Sequence, residues 1–422
     1  MRFRSSSARR PSAPPYGLAV AALSITETIS WGIIYYTFPV FLRSMEGDLG
    51  ASRVAVTGAL SAALGVSAAV ALPVGRWIDR NGPRALMTAG SCLAVALLLA
   101  WAQVRSLGAL YTVWCLMGLA MAATLYEPAF VAIVQWFPRR RDRGLLIVTL
   151  AGGLASTIFM PIAAWLLGRF GWRATAEMLA GFLALTTIPL HALALRGSRR
   201  PEPGGPDGGA PAESDPDTER PPRDVPLGFA LSTPAFWALS AAFAVGIFAA
   251  VAVTVHLIPY LVQRGYPEAY AAAIVGGIGA MQVAGRLVFA PVAAWFGSRI
   301  AAGMIFLVQG AGMALLTVAA PSPGLWGVIM LLGAANGMAT LARAMTVADL
   351  FGRTHYGSIS GAIAVASTGA RALGPVGASL LRIWLGGYDR VFWTLGVALA
   401  VAGLTVMVIG SSARREDAAE TV

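Results

Sequence analysis

The 422-residue sequence has no lysine, two cysteines, three histidines and few charges of either sign. Asp, Glu and Arg together make up 12% of it, about half the charged share of a soluble globular domain. Cys92 and Cys115 lie in apolar runs without histidines at ligand spacing, which excludes a disulfide scaffold and a Cys/His metal site and leaves packed helix thiols. His191, His256 and His355 are scattered, so no metal is expected, and no G-x-x-x-x-G-K-[ST] string is present to cradle a nucleotide. No cofactor is expected, nor is an enzyme, because no nucleophile–base pair stands out. The 31 basic residues, all Arg, outnumber 20 acidic ones and give a net charge of +11. They are spread along the chain and form no single basic face, so nucleic acid is not an expected partner.

Apolar residues supply what is abundant, at 57% of the chain. They come in long runs, not in the ten-residue alternation of an outer-membrane barrel. Taken at about 20 residues per crossing, the runs predict spans over residues 16–42, 54–78, 85–103, 107–137, 145–167 and 174–195. A second set follows over 234–262, 269–296, 300–319, 324–350, 356–384 and 391–410. The expected fold is an all-α polytopic membrane protein of twelve helices in two six-helix bundles.

Arginine placement predicts orientation. With the N-terminus inside, 20 arginines fall in cytoplasmic segments and eight in outer loops, and Arg286, Arg343 and Arg371 fall within spans. Both termini are thus expected in the cytoplasm of a bacterial cell, with the chain in the inner membrane. The basic N-terminal tail reads as retained, since the following run is too long for a signal peptide. Residues 196–228 change abruptly to Pro, Gly, Asp, Glu and Arg and read as a disordered linker. It divides a bundle at 1–195 from one at 229–422. The halves echo each other: Pro39–Arg43 with Pro259–Arg264, Pro73–Arg84 with Pro291–Arg299, and Pro161 with Pro375. This is a parallel repeat of the kind found in two-lobed transporters.

Between spans two and three the chain reads G-R-W-I-D-R-N-G-P-R (Gly75–Arg84). This string resembles the G-x-x-x-D-R-x-G-x-R signature of the major facilitator superfamily, and the span count, linker and repeat extend the resemblance over the whole chain. Gly75 permits close helix approach, and Asp79 can accept charge-assisted hydrogen bonds from an arginine near a helix end. Gly75, Asp79, Arg80, Gly82 and Arg84 are therefore the expected conformational latch; otherwise Arg76, Arg80 and Arg84 only set topology. T-I-S-W-G-I-I-Y-Y-T-F-P, Y-E-P-A-F, F-G-W-R and L-F-G-R-T-H-Y-G resemble the bacterial monocarboxylate-porter and oxalate–formate-antiporter branch.

Ionisable residues inside a membrane are costly, about 3 kcal/mol on insertion scales, and mark function by default. Arg286 and Arg371 fall about 16–22 Å deep, near the midplane, and Glu27 and Glu127 at similar depth. A guanidinium stays charged and matches a carboxylate with two parallel hydrogen bonds. The resemblance implies carboxylate recognition by basic residues on spans eight and eleven, where Arg286 and Arg371 lie. The competing reading pairs each with Glu27 or Glu127 as a structural bridge. Monocarboxylate porters carry an acidic residue one turn before the span-eight arginine; here it is Gln282, so proton coupling would pass to Glu27 or Glu127. Trp31, Tyr35, Tyr36, Tyr126 and Asn336 offer donors around a substrate or serve as packing, and Arg343 with Asp349 is the expected gate pair.

The expected function is secondary active transport of a small organic anion, a mono- or dicarboxylate. It proceeds by alternating access, with proton symport or anion exchange, and the expected partners are that anion, the proton and the bilayer, in a monomer. The alternative is a multidrug or hydrophobic-metabolite exporter of the same fold. Span five, A-G-G-L-A-S-T-I-F-M-P, lacks the G-P-x-x-G-G string such exporters carry.

Overall fold

The computed structural model describes residues 14–196, 224–318 and 323–419. A long apolar run removed from water satisfies its backbone groups most simply as a helix. Ten stretches among the described residues are long and apolar enough to cross a membrane. The first is continuous from Tyr16 to Leu49: α1 (Tyr16–Ser30), a π-helical turn (Trp31–Tyr36) and α2 (Thr37–Leu49). Then come α3 (Arg53–Asn81), α4 (Pro83–Ala102), α5 (Leu107–Thr124), α6 (Tyr126–Trp136), α7 (Arg141–Gly153) and α8 (Ala155–Pro189), which ends in a π turn at Leu190–Ala194. The second half holds α9 (Leu227–Ser232), α10 (Pro234–Gln263), α11 (Glu268–Phe296), α12 (Ser298–Val318), α13 (Pro323–Phe351), α14 (Tyr356–Leu385) and α15 (Tyr388–Ala419).

The stretch Arg141–Ala194 is 54 residues long, about 80 Å of helix and too much for one crossing. Gly171, at φ 76°, breaks it in two. α14, which carries Arg371 and Arg382 and is more polar, stands outside the ten. Each of the twelve expected spans meets a helix. The first runs beyond its expected end at 42 because Met45 is buried and Glu46 holds Arg53 at 2.7 Å; Gly50, at φ 57°, then turns the chain.

Three pairs of left-handed glycines mark the repeat: Gly50 with Gly265, Gly82 with Gly297, and Gly171 with Gly386, each pair 215 residues apart. A residue with a Cβ is strained at such a φ, so these turns preserve the register of the halves more evenly than the matched strings do. The irregularities do not repeat. The π turn at Trp31–Tyr36, the break at Leu125 and the break at Leu154 all lie in the first half. Their counterparts 215 residues on fall within the unbroken α10, α13 and α14.

The two lobes meet chiefly where α3 packs along α14, with α7 against α11 and α13 and α6 against α14. The apolar core is not divided by lobe. One buried cluster joins the second lobe to the end of the first that holds Ile78, Phe130 and Val148. The other end of the first lobe, around Trp101, Trp114 and Trp172, forms a separate cluster. The lobes are thus closed together at the end that carries Asp79.

Candidate substrate site and interlobe gate

The first wall of the site is built by the π turn. A widened π turn is a feature of functional positions; here it spans W-G-I-I-Y-Y, with Ile33 and Ile34 in the first-lobe core and Tyr36 within reach of the charges of Arg286 and Arg371. Thr37 Oγ1 donates to Gly32 O at 3.1 Å, and Gly32 leaves room for Phe159, whose ring a Cβ would meet at 2.2 Å. Trp31 packs against Tyr35 (5.3 Å between ring centroids), Tyr36 (6.3 Å) and Tyr126 (5.1 Å). Tyr126 stacks in turn on Phe130 at 5.1 Å.

The second wall is cationic. Arg286 on α11 is 6% exposed, and its Nε and Nη1 have no hydrogen-bond partner. Its guanidinium reaches across to the first lobe and lies on Gly153, where a Cβ would stand 1.6 Å from Nη1. Gly152 makes the same allowance for the Tyr126 hydroxyl, which donates to Thr149 O at 3.4 Å. The A-G-G string and the break after it therefore seat one residue from each lobe. Arg371, half-buried on α14, lies close enough that its charge and that of Arg286 both act on the hydroxyls of Tyr36 and Tyr126. Neither arginine forms an ion pair among the described residues.

Glu27 is fully buried on α1, and neither of its carboxylate oxygens has a hydrogen-bond partner. The indole N–H of Trp31, one turn on and also unpaired, is the donor best placed to reach it. Arg286 and Arg371 thus share the surroundings of Tyr36 and Tyr126, and among the described residues the Glu27 carboxylate and the Arg286 Nε and Nη1 have no hydrogen-bond partner. Gln282 is half-buried one turn before Arg286, and its backbone is packed against Gly337. Asn336, next to Gly337, accepts at Oδ1 from Gln309 Nε2 at 3.2 Å beside a small cavity inside the second lobe.

Glu127 is not free. It pairs with Arg343 of the other lobe and accepts from Ser360 Oγ at 2.8 Å. Asp349 pairs instead with Arg141. The expected Arg343–Asp349 pair is therefore corrected: the two stand six residues apart on α13, beyond the three or four that share a helix face, and each finds a partner across the lobe boundary. The alternative bridge from Arg286 or Arg371 to Glu127 is corrected as well, since Arg343 takes that carboxylate.

The latch also differs in its partner. Asp79 accepts from the amides of Gly357 and Ser358 at 2.9 and 2.7 Å, from Ser358 Oγ at 2.5 Å and from Gln135 Nε2 at 2.8 Å. It thus caps the N-terminus of α14, where unpaired N–H groups and the helix dipole favour an anion, and no arginine takes that role. Gly75 serves as expected for close approach: a Cβ there would meet Gly357 O at 2.0 Å. Arg80 is exposed, Gly82 ends α3 at φ 80°, and Arg84 Nε donates to Ala192 O at 2.9 Å, tying the start of α4 to the end of the first lobe.

The expected linker falls mostly on 197–223, outside the described residues. Its end is anchored: Asp224 Oδ1 accepts from the amides of Arg353 and Thr354 at 2.7 and 3.0 Å, and its carboxylate also takes the Thr354 hydroxyl. Partial burial raises the Asp224 carboxyl, but the Thr354 hydroxyl, the two amides and the Arg353 charge outweigh it and hold the group below the usual aspartate range.

Residues 20–375 match the Major Facilitator Superfamily family model. The chain belongs to the major facilitator superfamily. Among curated relatives, monocarboxylate transporter 3 of Rattus norvegicus is 26% identical over 95% of this chain and 81% of its own length. Riboflavin transporter RibJ of Trypanosoma brucei brucei is 29% identical over 49% of this chain and 38% of its own length, so the match spans well under half of that protein. The crystal structure of the human organic anion transporter MFSD10 superposes with a TM-score of 0.72 at 16% identity, covering 93% of this chain and all of that one. The chain is a multi-pass membrane protein of this superfamily.

Proposed function

We propose that the protein carries a small organic anion, a mono- or dicarboxylate, by alternating access, with proton symport or anion exchange as the coupling. The observation that carries this reading is that two arginines beside Tyr36 and Tyr126, Arg286 and Arg371, form no ion pair among the described residues. A buried guanidinium without a counter-charge is unfavourable by several kcal/mol, and a carboxylate supplies the missing partner while its apolar body packs on the rings. Glu27 sets the charge balance. Ionised, it leaves the site one positive charge, suited to a monoanion; protonated, it leaves two, suited to a dianion.

With the N-terminus inside, as the arginine distribution predicts, Asp79 lies on the cytoplasmic side and the conformer is shut there. Substrate then reaches the site from the outer face of a bacterial inner membrane, and the lobes rock to release it. The names of the rat and human relatives, a monocarboxylate transporter and an organic anion transporter, are consistent with an anionic cargo.

The test is a thermal-shift screen of purified protein against lactate, oxalate, succinate and lipophilic cations, followed by liposome uptake of the stabilising compound. The native protein should be stabilised by a carboxylate, and Arg286→Ala should abolish that response and the uptake while leaving membrane insertion intact. Stabilisation by lipophilic cations alone would overturn the reading in favour of an exporter.

A further inference from the structure

We propose that the cargo is an acidic α-amino acid, with its ammonium held by Glu27 and its two carboxylates by Arg286 and Arg371. The inference deepens the anion reading above and rests on it for the role of the two arginines.

The walls of the site differ in sign. The second lobe supplies Arg286 on α11 and Arg371 on α14. The first lobe supplies Glu27 on α1, together with the clustered rings of Trp31, Tyr35, Tyr36 and Tyr126. The face of an aromatic ring attracts a cation, and clustered rings are a recurrent means of binding ammonium groups. An acid beside such rings makes a cation-binding wall, set against an anion-binding one.

Contacts link these groups across the lobe boundary. The amide of Trp31 donates to Glu27 O, so the two side chains stand one turn apart on the same helix face. The Trp31 ring lies 5.1 Å from that of Tyr126. The Tyr126 hydroxyl and the Arg286 guanidinium lie on neighbouring glycines, Gly152 and Gly153. Tyr126 thus stands between the acid of one lobe and the arginine of the other, and the charges of Glu27, Arg286 and Arg371 all act on its hydroxyl. That hydroxyl donates to Thr149 O, which leaves its oxygen free to accept a hydrogen bond.

Glu27 is fully buried, and both of its carboxylate oxygens lack a hydrogen-bond partner. Burying an ionised carboxylate without donors is strongly unfavourable. Glu127, the acid whose charge also reaches Glu27, is already held by Arg343 and Ser360, so Glu27 is the acid available to a cation. An ammonium has three N–H donors; two suit the Glu27 oxygens and the third suits the Tyr126 hydroxyl. Charge then selects the rest of the molecule. Glu27, Arg286 and Arg371 sum to one positive charge, and an acidic α-amino acid carries one ammonium and two carboxylates, so the loaded site is neutral. A neutral amino acid leaves one arginine without a counter-charge, and a plain dicarboxylate leaves Glu27 without a donor. A proton on Glu27 would instead favour the plain dicarboxylate, and the experiment separates the two.

Thermal-shift titrations of the purified protein at neutral pH compare L-glutamate with glutarate, which lacks the ammonium, and with L-glutamine, which lacks the second carboxylate. L-Glutamate should bind about tenfold or more tightly than either, because a site built around a polar group penalises an analogue that lacks it. Glu27→Gln should erase the preference for glutamate over glutarate by weakening glutamate binding while leaving glutarate binding unchanged or stronger. Arg371→Gln should erase the preference for glutamate over glutamine. Glutarate binding to the native protein as tightly as glutamate, a comparison that needs no variant to fold, would overturn the proposal. So would a preference for glutamate over glutarate that survives in Glu27→Gln. A response to lactate, oxalate or succinate with none to glutamate would overturn the proposal and leave the anion reading standing. Stabilisation by lipophilic cations alone would overturn both.

Discussion

Asp79 takes both the amide and the hydroxyl of Ser358, at 2.7 and 2.5 Å, and so holds the first lobe to the N-terminus of the second lobe's α14. A carboxylate in this position satisfies donors that have no partner within their own helix, and it does so across the boundary between the lobes.

Replacing it with Asn keeps one acceptor oxygen and removes the charge. Asp79→Asn should weaken closure at this end by about 0.3–1 kcal/mol, the usual worth of a negative charge at a helix N-terminus, and shift the resting population toward the opposite conformer. Turnover in liposomes should fall while carboxylate binding in detergent changes little. An unchanged turnover rate would count against the capping contact as a latch.

Two glycines make opposite predictions. At Gly75 the atom that an added methyl meets is the backbone oxygen of Gly357, at 2.0 Å, which cannot move without moving α14. Gly75→Ala should therefore deplete the closed conformer, seen as a longer distance between spin labels on cysteines introduced at Asn81 and Arg353, exposed on opposite lobes. At Gly153 the atom met is the tip of the Arg286 side chain, at 1.6 Å, which can swing aside. Gly153→Ala should keep the fold and its thermal stability but lower carboxylate affinity about tenfold, the equivalent of about 1.4 kcal/mol. Equal behaviour of the two variants would contradict the packing at both positions.

Asp224 supplies a pH test outside the membrane. Its folded-state carboxyl is held below the ordinary range, so its stabilising contribution is present at neutral pH. It is lost as pH falls from the ordinary aspartate range through the lower folded value. Asp224→Asn should lower the unfolding temperature at neutral pH, and the difference from the native protein should shrink on acidification. A difference that grows toward low pH would mean that the hydrogen bonds to Arg353 and Thr354 do not hold the carboxylate.

The helices could be read from the sequence because their cause is local: an apolar run of sufficient length has one way to satisfy its backbone. Gly75 and Asp79 were legible for a related reason, since their spacing resembles a familiar string. The partner of Asp79 was not, because amides at the start of α14 leave no mark on side-chain composition. Glu127 and Arg343 are 216 residues apart, and nothing local links them until the lobes dock. Arg343 and Asp349 looked paired by proximity along α13, but helix geometry turns them to different faces. The A-G-G string was visible, yet its use as a seat for Tyr126 and Arg286 depends on helices from both lobes.

The π turn at Trp31–Tyr36 and the breaks at Leu125 and Leu154 have no counterpart in the second lobe. Where a helix has already given up part of its regular hydrogen bonding, further bending meets little resistance. The lobe with the aromatic residues is thus the compliant jaw of a vice, and the lobe with the arginines is its anvil. On the transport reading proposed above, cargo shape is accommodated by the jaw, whereas negative charge is met by arginines carried on the more regular helices of the other lobe. Relatives of this chain could then exchange one cargo for another of the same charge by changing only first-lobe residues.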